Sequence, residues 1–271
     1  MLMNTLKTNY QRELDEQPLV EFSLNKVFLG SPGTGKTTVA KLFAKILADL
    51  GLLSNGEVVV KNPADFVGAH LGHSEAQTKG ILASTVGKVL VIDEAYGLYG
   101  GGKNGSGGDM YKTAVVDTIV AEVQSVPGED RCVLLLGYKD QMEEMFQNVN
   151  PGLSRRFPLP SAFVFEDFDD AALAKILDMK LGKTGFSATD KAKQAAVDVL
   201  RRERNRPNFG NAGAIDILLN EAQASHQKRV SKDKVKRHGK LEAIDFDADF
   251  DRAERGDTDV KKLFEGDVGR D

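Results

Sequence analysis

Apolar positions along this chain fall into two alternating rhythms. Short runs with the length and β-branched content of strands buried on both faces occur at Lys26-Val27-Phe28-Leu29, Val58-Val59-Val60-Lys61, Val89-Leu90-Val91-Ile92, Cys132 to Leu136 and Ala162 to Phe165. Between them apolar residues recur at three- and four-residue steps. Val39, Ala40, Leu42, Phe43, Ile46, Leu47 and Leu50 predict a core-facing helix. A second helix is predicted from Ser74, with Gln77 three residues later completing a capping box. A third covers roughly Tyr111 to Gln124, and Gly51, Asn55-Gly56 and Pro127-Gly128 mark turns. Strands alternating with helices predict a three-layer parallel α/β sheet whose ligands gather at its carboxyl edge.

The flanks read differently. Residues 1–24 are polar and helical as far as Asp15, and Pro18 ends that element. From Asp169 to about Val230 only the helical period remains: Ala172, Leu173, Ile176 and Leu177 share one face, and Ile215, Leu218, Leu219 and Ala222 another. The expected organisation is an N-terminal helical segment (1–24), an α/β nucleotide-binding core (25–168), a small all-α domain (169–232) and an acidic linker (233–271) toward a possible next module. Within that tail, Ile244 to Arg252 repeats a Phe-Asp unit, expected to be solvated apart from two anchoring aromatics. The glycine-rich stretch Gly100 to Gly108 is expected to be a mobile surface loop.

The chemistry begins at residues 30–37, Gly-Ser-Pro-Gly-Thr-Gly-Lys-Thr, which complete the pattern G-x-x-x-x-G-K-[ST] between the first strand and its helix. Glycines let the backbone curl so that successive N–H groups face a phosphate, and the helix adds its positive end. The candidate nucleotide set is therefore Ser31, Pro32, Gly33, Thr34, Gly35, Lys36, Thr37 and Thr38. Lys36 would reach the β- and γ-phosphates, and Thr37 would ligate Mg2+. The second half is Asp93-Glu94 after the run Val89 to Ile92. Asp93 would hold the magnesium shell, and Glu94 would orient or deprotonate the attacking water, which favours hydrolysis over phosphoryl transfer to another acceptor.

Composition narrows the setting. At 271 residues, 41% hydrophobic and 28% charged, the chain is long enough for one α/β domain and a smaller attachment. Its 36 basic and 40 acidic residues give a net charge of −4, so nucleic acid is not a default partner. The lone Cys132 lies in an apolar run and reads as a buried thiol in a reducing compartment. No signal peptide and no apolar run near 18 residues is present, so an intracellular site, cytoplasmic or nuclear, is expected without a membrane. His70, His73, His226 and His238 lack metal-ligand spacing.

An α/β nucleotide core followed by a helical lid resembles the AAA+ ATPases. The segments Asp65 to His73, Asp93 to Tyr99 and Asn150-Pro151-Gly152-Leu153-Ser154-Arg155-Arg156-Phe157 are similar, more narrowly, to the red-type Rubisco activase branch, which includes sporulation ATPases and tandem fungal modules. The tail Leu263-Phe264-Glu265-Gly266 looks like the start of another such module. The resemblance implies ATP as the nucleotide, a ring that is either a homohexamer or a set of neighbouring AAA+ modules, and a protein substrate engaged through a central pore. It also implies that Arg156, with Arg155 as second candidate, enters the nucleotide site of a neighbouring subunit.

Two positions depart from the family pattern. Where relatives carry Asn-Ala-Arg in the lid, this chain has Asn211-Ala212-Gly213, leaving Gly213 only its backbone N–H for the nucleotide. At the pore loop Ala69-His70-Leu71 replaces an aromatic grip, so His70 is either a substrate contact or a plain loop residue. In Gly137-Tyr138-Lys139-Asp140 either Tyr138 or Lys139 stands where the superfamily positions the attacking water. Asn62 reads as an Asn-Pro turn, with a hydrogen bond to Glu94 as the alternative. The rival to an ATP-hydrolysing remodeller is a nucleotide-binding regulatory or scaffolding module with slow or no hydrolysis.

Overall fold

The computed structural model describes residues 2–20, 22–70, 72–101, 109–124, 128–206, 209–233 and 239–250. It divides into two compact units: residues 1–31 with 35–166, and Pro32–Thr34 with the chain from Asp167 onward.

In the first unit the elements are α1 (Leu2–Leu14), β1 (Lys26–Gly30), α2 (Lys36–Asp49), β2 (Val58–Lys61), α3 (His73–Ser84), β3 (Val89–Ile92), α4 (Met110–Glu122), β4 (Cys132–Gly137), α5 (Lys139–Asn148), α6 (Gly152–Arg156) and β5 (Phe163–Phe165). All sheet pairings are parallel, in the order β2-β3-β4-β1-β5. Alternation along each strand supplies both faces. Val27, Leu29, Leu90, Ile92, Val133 and Leu135 meet Leu82 of α3, Val115 and Ile119 of α4 and Met142 of α5. Phe28, Val89, Val91, Leu134 and Leu136 meet Ala40, Ala44 and Leu47 of α2. The result is a three-layer α/β sandwich, with β3 and β4 buried along their whole length.

Several joints explain this register. Asn25 is buried because its Oδ1 accepts from the backbone N–H of Val133 at 2.7 Å, fixing the entry of β1 against β4. Gly30 has to be glycine, since a Cβ there would lie 2.4 Å from the carbonyl oxygen of Phe165 on the adjacent strand. Cys132 is buried and its Sγ lies 3.1 Å from the carbonyl oxygen of Leu24, and burial pushes its thiol pKa up.

The helix after β2 starts differently from the sequence expectation. Gly72, in the left-handed region at φ 80°, precedes α3, and Ser74 does not cap it. Its hydroxyl accepts from Gly68 N–H at 3.0 Å, and Gln77 donates to the carbonyl oxygen of Asp65. Both side chains are thus used to hold the preceding loop. Helices α5 and α6, absent from the sequence reading, pack through Met142, Met145, Phe146 and Leu153.

The second unit contains α7 (Asp170–Thr184), β6 (Ser187–Ala188), α8 (Asp190–Arg204), α9 (Ala212–Asp233), β7 (Lys240–Leu241) and α10 (Ala243–Phe246). Asp169 and Thr189 cap α7 and α8 by accepting from Ala172 and Ala192 N–H groups. Leu173, Leu177, Ala196, Leu200, Ile215 and Leu219 form its core. Residues 240–246, expected to be linker, belong to that core instead. Leu241 and Phe246 are buried in it, and the side chain of Asp245 is fully buried against Arg229 on α9, at 2.8 Å. Phe250 remains exposed. The glycine-rich residues 102–108 and the segment Leu263 to Gly266 lie outside the described residues.

Candidate functional site

Because every strand of the sheet runs the same way, the residues that follow β1, β3 and β4 emerge on one edge. Leu29 pairs with Gly137, and Ile92 with Leu135. The glycine-rich loop, the Asp93-Glu94 pair and Tyr138 are therefore neighbours by register, at the point where the strand order reverses around β1.

The loop has the curl its glycines predict. Gly33 and Gly35 have φ of 68° and 90°, and Gly35 precedes α2, whose first turn is Lys36, Thr37 and Thr38. Thr34 is buried, Ser31, Pro32, Lys36 and Thr37 are half-buried, and Gly33 and Thr38 are exposed. The Lys36 ammonium donates to the carbonyl oxygens of Gly30 and Ser31 at 2.8 and 2.9 Å. Burial lowers its pKa, against the opposing charges of Asp93 and Glu94.

At the end of β3, Asp93 N–H donates to the carbonyl of Lys61, and Asp93 Oδ1 accepts from Glu94 N–H at 3.0 Å. That second bond orients the Asp93 carboxylate. Glu94 is exposed and sits in the left-handed region, φ 53° and ψ 40°, at the head of a single helical turn, Ala95–Leu98. Among the described residues no three His, Cys, Asp or Glu side chains converge as a metal site. Thr37 and Asp93 offer hard oxygen donors on the two facing segments, which suits Mg2+, an ion that takes few protein ligands and completes its shell with phosphate and water.

Of the two residues after β4, Tyr138 faces the site. Its ring lies 5.7 Å from Lys36 Nζ and stacks on Tyr96 at 5.4 Å, whereas Lys139 is exposed in the first turn of α5. Tyr96 had no role in the sequence reading; an aromatic one turn from Asp93-Glu94, with another just after β4, was the available signal.

The other candidates are placed as follows. Arg155 is exposed, while half-buried Arg156 donates through Nε to the carbonyl of Val123 and through Nη1 to that of Gly152. Asn62 begins a turn and its N–H donates to Asp65 Oδ2 at 2.7 Å. His70 is exposed and meets His73 edge to face at 5.1 Å. Gly213 lies in the first turn of α9, where its N–H donates to the Gly210 carbonyl at 2.8 Å. Its backbone donor is thus used within the turn and not offered outward as the sequence suggested. Asn211, at φ 49° and fully buried, donates to Asp167 and to the carbonyl of Pro32.

A glycine loop between β1 and its helix, an Asp-Glu pair after β3 and this strand order define a P-loop nucleoside-triphosphatase fold. The chain belongs to the AAA ATPase family: "ATPase family associated with various cellular activities (AAA)" matches residues 27–170, and "AAA lid domain" matches residues 169–256. It is similar to the chromosomal protein CbxX of Cupriavidus necator, 36% identical over 78% of this chain and 64% of that protein. It is also 31% identical to the chloroplastic ribulose bisphosphate carboxylase/oxygenase activase of Cyanidioschyzon merolae, over 83% of this chain and 74% of that one. These relatives place it with the red-type activase branch. Among solved structures, the FIGL-1 AAA domain in complex with ADP shares the fold, with a TM-score of 0.59 at 15% identity over 95% of this chain and 83% of that chain. The chain spans a little under two thirds of the length of CbxX. Among the described residues no helix is long and apolar enough to cross a membrane.

Proposed function

We propose that this chain is a Mg-ATP hydrolysing module that acts at the subunit interfaces of a ring, a homohexamer or a set of neighbouring modules, to remodel a protein partner. The observation that carries the reading is the delivery of Lys36 and Asp93-Glu94 to one sheet edge by β1 and β3, which flank β4. Lys36 leaves the two carbonyls it now contacts and compensates the β/γ-phosphate charge. Thr37 and Asp93 would hold Mg2+, which would neutralise charge on the phosphate oxygens. Glu94 takes the proton of a water that attacks the γ-phosphorus, and ADP leaves. Tyr138 positions that water, and helix α6 supplies a guanidinium to the neighbouring site from its Arg155-Arg156 pair. A ring acting on a protein extends to this chain what the activase relative's name says of that protein.

Two observations favour a second reading, a nucleotide-binding regulatory or scaffolding module: the open space before Gly213 and the engagement of Arg156 within its own chain. ATP turnover measured against protein concentration separates the two. Under the first reading Lys36→Ala abolishes nucleotide binding, Glu94→Gln binds ATP without turning it over, and the rate per chain rises with concentration. Normal ATP affinity in the lysine variant would overturn the site assignment; a bound but unhydrolysed nucleotide at every concentration selects the second reading.

A further inference from the structure

At the nucleotide edge Tyr138 is packed against a second aromatic, Tyr96, to which the chemistry above gives no role. Tyr96 belongs to the Ala95–Leu98 turn that follows Glu94, and this turn is anchored because Ala95 and Leu98 are buried in the core beneath. Tyr138 directly follows β4. Their rings stack at 5.4 Å with an interplanar angle of 28°. The Lys36 ammonium lies 5.7 Å from the centroid of the Tyr138 ring.

Glycine at the end of β4 gives the pair room. A Cβ on Gly137 would lie 3.0 Å from Tyr96 Cδ1 and 2.6 Å from Met142 Sδ, so a larger residue at the strand end would push Tyr96 and Met142 back. Burial, the Glu94 carboxylate and Tyr138 push the Tyr96 hydroxyl up to about 12, so it stays protonated through the working pH range. The stack therefore connects three pieces of the site: the turn that carries Glu94, the end of β4, and the lysine of the glycine loop.

We propose that Tyr96 is a positioning residue, its ring holding Tyr138 against the Lys36 ammonium so that the lysine is presented to phosphate in one orientation. An electron-rich ring face attracts an ammonium without competing with phosphate oxygens for its N–H donors. Stacking fixes the ring, because an isolated tyrosine at a strand end has two free torsions. This rests on the nucleotide reading given above, and its test has a readout that does not need turnover.

The chain has no tryptophan, so Tyr138→Trp creates a single emission reporter beside Lys36. Three forms are compared: Tyr138→Trp alone, and the same reporter with Tyr96→Phe or with Tyr96→Leu, each checked for a native melting transition. Titrated with Mg-ATP, the reporter should respond alike with Tyr or Phe at position 96, and with Leu the response should be lost or its midpoint weakened about fivefold. In the unlabelled chain Tyr96→Leu should lower kcat about tenfold with KM changing less, and Tyr96→Phe should restore it. A Leu variant that melts at lower temperature but keeps reporter response and kcat would show Tyr96 to be core packing only, and would overturn the inference. A responding reporter in a chain without turnover leaves the inference standing while removing the hydrolysis reading.

Discussion

Arg156 and Val123 join two elements: the Nε of Arg156, on α6, donates to the carbonyl oxygen of the residue that follows α4. A second bond from Nη1 reaches the Gly152 carbonyl at 3.1 Å, so this guanidinium already braces its own chain. Its neighbour Arg155 is exposed.

If Arg156 acts across the subunit interface, it has to exchange these carbonyls for phosphate oxygens when a neighbour docks. Arg156→Ala should then lower turnover roughly a hundredfold or more while leaving ATP affinity within about twofold. It should also cost about 1–2 kcal/mol of stability from the lost bonds. Arg155→Ala should leave the melting temperature unchanged. Turnover retained by the Arg156 variant and lost by the Arg155 variant would move the role to Arg155.

Glu94 offers a separation of stability from activity. Its left-handed backbone costs a side-chain-bearing residue roughly 1–2 kcal/mol, and glycine's greater unfolded-state freedom offsets part of that. Glu94→Gly should therefore stabilise the chain by about 0.5–1 kcal/mol and abolish hydrolysis, whereas Glu94→Gln should do only the latter. Denaturant midpoints at constant slope read the difference. A glycine variant no more stable than its parent would show that the surroundings have already relaxed the strain.

Gly213 has open space where a side chain would begin: apart from its chain neighbours and its own helix backbone, no atom lies within 4 Å of an ideal Cβ. Without a cation at this point, ATP and ADP should bind within roughly tenfold of one another. Gly213→Arg can add a charge-assisted bond, typically ~1.5–3 kcal/mol before screening, and should widen the preference for ATP. Calorimetric titration of both nucleotides decides it: strong selectivity in the parent, unaltered by the substitution, assigns γ-phosphate reading elsewhere.

Acid should loosen the second unit through Asp245. Burial alone would raise this carboxyl, but hydrogen bonds from Arg229 and from Glu242 N–H, and the charges of Arg229 and His226, hold it below the usual range. A carboxyl whose folded pKa is depressed contributes stability above its unfolded pKa, about 3.9, and that contribution disappears as pH falls through the folded value. Asp245→Asn should thus cost about 3 kcal/mol at pH 7, since it removes the buried charge that pairs with Arg229. The gap to the parent should begin to narrow below about pH 4 and go on narrowing as pH falls toward the folded value. A gap that does not narrow at all between about pH 5 and pH 3 would mean that the shape of the side chain matters and its charge does not.

The sheet and the phosphate loop were legible because their signals are local. Val89 to Ile92 and Cys132 to Leu136 are continuous apolar runs, and the glycine loop is a single contiguous string. Pairings across distant segments were not legible. Ser74 and Gln77 have the letters of a capping box, yet tertiary partners, Gly68 N–H and the Asp65 carbonyl, took both side chains. Asp245 looked like one acid among many in a solvated tail until Arg229, on another helix, gave it a buried partner. Tyr96 and Tyr138 meet only because β3 and β4 are adjacent. Helix α5 was missed because its buried set, Met142, Met145 and Phe146, is too short to show a period.

The placement of β1 between β4 and β5 also sets the order of events during synthesis. Asn25 is joined to Val133, 108 positions later, and Phe28 pairs with Phe163. A nascent chain that has already displayed its glycine loop therefore holds no formed site until the ribosome has released the segment through Phe165, because distant partners impose the loop's conformation. Nucleotide stabilises only the folded form. Chains arrested before that length should gain no protease resistance from ATP, and those arrested beyond it should acquire the resistance in one step.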